Sequence, residues 1–230
     1  DPRLGHVDKI HMVFGSIDFF TSRILTKEFF GLHAPALQPG QLSEFGMEHV
    51  FEHFPVDPEE LSPSLIWPMC GCGMWMITTD NMLLVSKRTN VIELPGNLGY
   101  SAAGSCEYYH WSRDQRNGKT SRQLEASPFA TIQRETLEET GISLSIKDFT
   151  LFEVGVELSR CIVQFSFYAD VPYTAKQVIR KYLTEAKSRR EQQLFAIPFQ
   201  REAVFGLLEE YELEPGAVYS LIQLMQKRRL

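Results

Sequence analysis

Glu135, Glu138 and Glu139 stand in the run Arg134-Glu135-Thr136-Leu137-Glu138-Glu139-Thr140-Gly141-Ile142. On a helix, which turns about 100° per residue, Glu138 lies about 60° to one side of Glu135 and Glu139 about 40° to the other. The three carboxylates therefore share one face, where like charges three and four residues apart repel. A hard divalent cation relieves that repulsion. Magnesium, with manganese as the alternative, takes carboxylate oxygens, keeps several waters and bridges to substrate phosphates. Held there, it would polarise a phosphoryl oxygen or activate a water. The same spacing also describes a solvated acidic face beside Arg134.

The element that must carry these carboxylates is a helix over residues 127–141. Ser127 suits the N-cap, Pro128 the first helical position and Gly141 a left-handed C-cap. Its body runs through Phe129, Ile132 and Leu137. Upstream, Met74-Trp75-Met76-Ile77 and Met82-Leu83-Leu84-Val85 flank Thr79-Asp80-Asn81, which predicts a hairpin. Leu94-Pro95-Gly96 has turn chemistry, and Tyr100–Ala103 reads as a short strand. Residues 108–124 are polar and read as a long surface loop. Phe149–Val156 and Cys161–Asp170 read as strands, the second by its alternation. Gln177–Gln193, Arg201–Tyr211 and Ala217–Arg228 read as helices. Strands interleaved with helices point to a layered α/β or α+β fold.

At this point the motif resembles a known family. Arg134-Glu135-x-x-Glu138-Glu139-x-Gly141-Ile142 looks like the second half of the Nudix box. Ala103-Gly104-Ser105-Cys106-Glu107 looks like its first part, with Ala103 in place of the first glycine. The resemblance covers roughly residues 70 to 200. It implies a Nudix-like α/β/α sandwich with a mixed sheet. It also implies a magnesium-dependent attack of water on the pyrophosphate of a nucleoside diphosphate linked to another moiety. Glu135, Glu138 and Glu139 would hold the metal, Arg134 would orient them, and Glu107 would contact substrate or metal. Two departures stand out. The stretch 108–124 is inserted between the halves of the box, and the expected box glutamate is Ala126, with Glu125 one residue away. The insertion and the aromatic-rich N-terminal region are similar to the larger Nudix proteins that cleave sugar nucleotides. The other reading in this family is a nucleotide-binding sensor that does not turn its ligand over.

Further residues could serve such a site. Arg113 and Arg116, with Lys119, could clamp a diphosphate, and His110 could reach a phosphate or ribose, although a solvated polar loop needs no such role. Glu153 and Glu157 are candidates for a general base. Arg180, Lys181, Lys187, Arg189 and Arg190 form a basic cluster that reads as a solvated helix face or as phosphate steering. His49-Val50-Phe51-Glu52-His53 fits the inverted zinc-protease pattern, but Pro55 ends any helix there. Cys70-Gly71-Cys72 lacks a second pair at zinc spacing and reads as small buried thiols.

Composition bounds the rest. The 230 residues carry a net charge of −6, which disfavours nucleic acid as the main partner and favours a small nucleotide substrate. Residues 1–68 form an N-terminal extension ending in a proline-rich connector, with Pro55, Pro58, Pro63 and Pro68; residues 69–230 form the hydrolase domain. Ile24–Phe30 reads as a helical piece within that extension. The densest apolar run, Leu65–Ile77, is too short to span a bilayer, so no membrane role is expected. Four cysteines and no signal-peptide pattern lead to the expectation of a reducing, cytoplasmic setting.

Overall fold

The computed structural model describes residues 69–89, 95–106, 109–113, 120–124, 127–157, 162–187 and 189–230. The extension over 1–68, with Ile24–Phe30, the His49–His53 motif and the proline-rich connector, lies outside them.

β1 (Met69–Ile77) and β2 (Met82–Arg88) form the expected hairpin. Its turn is held by the Thr78 hydroxyl, which donates to Asp80 at 2.6 Å and accepts the Met82 N–H at 3.0 Å. Asn81 takes the left-handed conformation, φ 55°, that asparagine tolerates. The two strands pair only near the turn, Met76 with Leu84 and Ile77 with Leu83. Beyond it they separate. β1 continues against β4 (Ala102–Ser105), while β2 continues against β9 (Gln192–Pro198). The short β3 (Leu98–Gly99) closes the other edge of β2. On its second side β1 pairs in parallel with β8 (Ile162–Asp170), which pairs antiparallel with β7 (Thr150–Glu157). The result is a seven-stranded mixed sheet.

Four helices cover this sheet among the described residues: α1 (Pro128–Thr140), α2 (Ala175–Glu185), α3 (Arg201–Glu210) and α4 (Pro215–Arg228). Alternation along the strands sorts side chains to the two faces. Cys72, Met74 and Met76 of β1 join Phe165 and Phe167 of β8 in one core with Ile132 of α1 and Val178 and Tyr182 of α2. Trp75 and Ile77 join Leu83 and Val85 in the other, with Val204 of α3 and Leu221 and Leu224 of α4. β1 is thus buried on both sides, which is why it reads as a near-continuous apolar run. The architecture is the expected α/β/α sandwich. No helix among the described residues is long and apolar enough to cross a membrane.

Two expectations are corrected. The stretch 108–124 is not a plain loop: its backbone forms a ladder of β5 (Tyr109–Arg113) and β6 (Thr120–Leu124), with Tyr109 opposite Leu124 and Arg113 opposite Thr120. The helix expected over Gln177–Gln193 ends at Glu185, and Gln192–Pro198 is a strand. Arg189 stops that helix by donating to the Leu183 and Ala186 carbonyls, which its last turn leaves open. Gln192–Pro198 extends because all seven of its residues pair with β2, from Arg88↔Gln192 to Met82↔Pro198.

Candidate active site

α1 begins and ends where its sequence signals place it. Ser127 is extended and Pro128 opens the first turn, although the Ser127 hydroxyl makes no cap bond. Gly141, at φ 72°, closes the last turn by donating its N–H to the Leu137 carbonyl at 3.0 Å. The buried stripe is unusual in kind. Besides Ile132 it carries Thr131, Thr136 and Thr140, whereas Leu137 is 46% exposed. The threonine hydroxyls are satisfied within the helix. Thr136 donates to the Ile132 carbonyl and Thr140 to the Thr136 carbonyl, both at 2.6 Å. Small, internally bonded side chains let the helix lie close to the sheet, and the glutamates flank that contact.

β4 supplies the platform for two of them. The Glu135 carboxylate lies directly on Gly104, so that a Cβ at 104 would stand 2.2 Å from Glu135 Oε1. Only glycine admits the glutamate in this position. The neighbouring Ala103 N–H donates to Glu139 Oε2 at 2.7 Å. Alanine at 103 leaves this bond intact, because the donor is a backbone N–H and the side chain packs into the opposite core. From the other branch of the sheet, Gln192 donates to the Glu139 carbonyl at 3.5 Å. α1 thus sits across the split between β1–β4 and β2–β9.

The cations are arranged unevenly. Arg134 Nη1 lies 2.8 Å from Glu135 Oε1 and 3.3 Å from Glu138 Oε2. Lys187 Nζ, from the loop after α2, lies 2.6 Å from Glu138 Oε1. Burial pushes the Glu138 carboxyl up, but Lys187 and Arg134 outweigh it and hold it below the usual carboxylate value. Glu139 behaves oppositely. Burial and then the Glu135 charge beside it hold its carboxyl well above that value, and the Ala103 N–H offsets only part of the rise. The two neighbours on β4 are hard oxygen donors in mutual repulsion, which is the donor set a divalent cation relieves. Glu135 and Glu139 fit such an ion directly. Glu138 stands one turn along, engaged by Lys187 and Arg134, and among the described residues no three acidic, histidine or cysteine side chains already converge as a ligand set.

The other candidates separate. Arg113 falls on β5, while Glu107, Arg116, Lys119 and Glu125 lie outside the described residues. His110 also falls on β5. Glu153 stands opposite Ser166 on the α3–α4 face of the sheet, away from α1. Burial raises its carboxyl, and a hydrogen bond from Ser166 counters part of that. Glu157 is buried on the same face, its Oε2 close to Gly216 at the start of α4. Neither candidate base therefore shares the face of the α1 glutamates. Cys70, Cys72 and Cys106 are the small thiols expected: Cys72 is buried, its Sγ 3.2 Å from Cys106 Sγ. Burial pushes the Cys70 thiol up to about 11. The participants that sequence reasoning missed are the Ala103 N–H and Arg88, whose positive charge is felt at Glu139. An N–H carries no residue-type signal, and Arg88 is 51 positions from Glu139 (139 − 88).

With this geometry in place, the chain can be set beside solved structures. A mutT/nudix family protein from Listeria innocua aligns at 18% identity over 70% of this chain and 94% of its own, with a TM-score of 0.45. The NUDIX domain of Shewanella oneidensis NrtR, solved with ADP ribose, aligns at 13% identity over 78% of this chain and 97% of its own, TM-score 0.47. The chain is similar to Nudix proteins. An ADP compounds hydrolase aligns at 16% identity over 69% of this chain and 73% of its own, TM-score 0.45. No family model matches the sequence. No curated protein matches it either.

Proposed function

We propose that the chain is a metal-dependent, Nudix-type pyrophosphohydrolase. Its substrate is a nucleoside diphosphate linked to another moiety, of the sugar-nucleotide or ADP-ribose class. The observation that carries this reading is the pair of neighbouring carboxylates on β4, Glu135 seated on Gly104 and Glu139 on the Ala103 N–H, with Glu139 held above its usual value by burial and by Glu135. Glu135, Glu138 and Glu139 would hold magnesium or manganese. The bound ion supplies charge for the developing phosphate and acidifies a water. Arg134 positions Glu135 and Glu138 through its two contacts. Glu107, Arg113 and Arg116, from the segment between β4 and α1, bind the substrate. The negative net charge and low cysteine count support a small-molecule partner and a cytoplasmic setting.

The test is product release from sugar nucleotides, ADP-ribose, dinucleotides and nucleoside triphosphates, with magnesium and with chelator, beside a Glu138→Gln control. Metal-dependent cleavage of one class that disappears in the control is the expected result. Binding without cleavage across the whole panel replaces the enzyme with a nucleotide sensor.

A further inference from the structure

Lys187 is tied to α1 twice. Its backbone N–H donates to the Glu138 carbonyl at 2.7 Å, and its ammonium lies 2.6 Å from Glu138 Oε1. The preceding Ala186 is buried, and Arg189 just beyond bonds back to the end of α2. The root of the Lys187 side chain is therefore fixed beside Glu138, while the side chain itself is 71% exposed and free to swing on four methylenes.

An ammonium and a divalent cation compete for one carboxylate edge, because each repels the other at contact distance. Glu138 therefore holds a monovalent stand-in until a metal arrives. Arg134 keeps its second contact, Glu135, in either case. Lys187 has no second carboxylate contact among the described ion pairs. Displaced by a metal, it remains within a side chain's length of the site, and the charge brought there by the substrate is anionic.

Resting on the proposed function, we propose that Lys187 exchanges partners during loading: it neutralises Glu138 in the metal-free protein and binds the diphosphate of the substrate once metal has taken Glu138. It is a substrate-binding residue of the loaded state and a competitor of metal in the empty one. A purely structural lysine would do neither, because the backbone bond from residue 187 survives any substitution other than proline.

The experiment uses the whole chain and two probes, Mn2+ alone and inorganic pyrophosphate added to magnesium-saturated protein, with binding read by calorimetry. Lys187→Gln is expected to bind Mn2+ about threefold more tightly, the scale of an exposed ion pair removed. It is expected to bind pyrophosphate about tenfold more weakly, the scale of a lost charged hydrogen bond. Lys187→Arg restores pyrophosphate affinity. Lys227→Gln, at an exposed lysine in the last turn of α4, changes neither. Unchanged pyrophosphate affinity in Lys187→Gln, or metal affinity that falls together with it, overturns the exchange. Wild-type protein that takes up no Mn2+ removes the proposed function as well. Wild-type protein that binds both probes no differently from Lys187→Gln removes the Lys187 assignment alone.

Discussion

The two faces of the central sheet each seat a polar side chain on a glycine, and they treat it differently. On the α3–α4 face the Tyr100 ring covers Gly73, with no room for a Cβ. Its hydroxyl donates to the Gly216 carbonyl at 2.9 Å and lies 3.1 Å from Ser166 Oγ. Trp75 beside it donates to Ser220 Oγ at 2.8 Å. Tyr100 and Trp75 are neutral and bond to neutral partners. The carboxylate that joins them through Ser166, Glu153, has no second carboxylate laid against it among the described residues, and burial holds the Tyr100 phenol far above any physiological pH. On the α1 face, Glu135 covers Gly104 in the same way, but it is a charge laid beside a second charge, Glu139. Closed neutral networks hold a fold together. Adjacent like charges cost stability, and a chain that keeps them has another use for them.

Breaking the charged face produces the largest expected effect. Glu139→Gln or Glu138→Gln removes a proposed metal ligand without removing volume, and turnover falls by at least about a hundredfold, comparable to loss of one preorganised electrostatic contact. The metal-free Glu139→Gln protein melts no lower than wild type, because the repulsion with Glu135 is gone. A double variant with full activity would take the site away from α1. Next in size, Gly104→Ala drives a methyl into the Glu135 carboxylate and costs about 1–3 kcal/mol, the usual range for overpacking. Metal affinity falls with stability in this variant, as thermal melts with and without Mn2+ would record. A Gly104→Ala protein that binds Mn2+ normally shows that the β4 platform is not part of the site.

The matching cut on the other face sharpens the comparison. Tyr100→Phe deprives the Gly216 carbonyl of its donor and costs about 1–2 kcal/mol, the scale of a buried unmade hydrogen bond. Metal affinity is unchanged, so the two faces separate in a two-column measurement of Tm and Mn2+ binding. The smallest effect concerns pH. With its folded value raised, Glu139 favours the fold only while protonated. That contribution is fully present below the ordinary carboxylate value and is lost as pH rises through the raised one. Glu139→Gln removes the dependence, so its melting advantage over wild type grows as pH rises from about 4.5 in chelator. An advantage that is flat with pH places Glu139 in an ordinary environment.

What the sequence makes legible follows from how far apart the interacting residues are. The ends of α1 depend on Ser127, Pro128 and Gly141, all local, and they fall where expected. The hairpin of β1 and β2 turns on Asn81, also local. The charged stretch Gln177–Gln193 suits a helix to its end, but its last two residues open β9, whose extended state depends on β2, about a hundred residues earlier. The glutamate triplet is visible as a motif, but its electrostatics are not. Glu138 is lowered by a lysine 49 positions away (187 − 138), and Glu139 is raised by a burial that exists only once α1 is packed in the fold. Glu153 and Glu157 looked as eligible as any acid near a strand end, and the register of β7 on β8 puts them on the far face.

The most direct test is Mn2+ uptake by the whole chain, read from the loss of free-ion signal in electron paramagnetic resonance. Wild type and the Glu135→Gln/Glu139→Gln double variant would be compared at the same protein concentration. Saturable uptake by wild type, lost in a double variant that melts at or above the wild-type temperature, is the predicted result. Equal uptake by both proteins would contradict the assignment of metal to the carboxylates that α1 lays on β4.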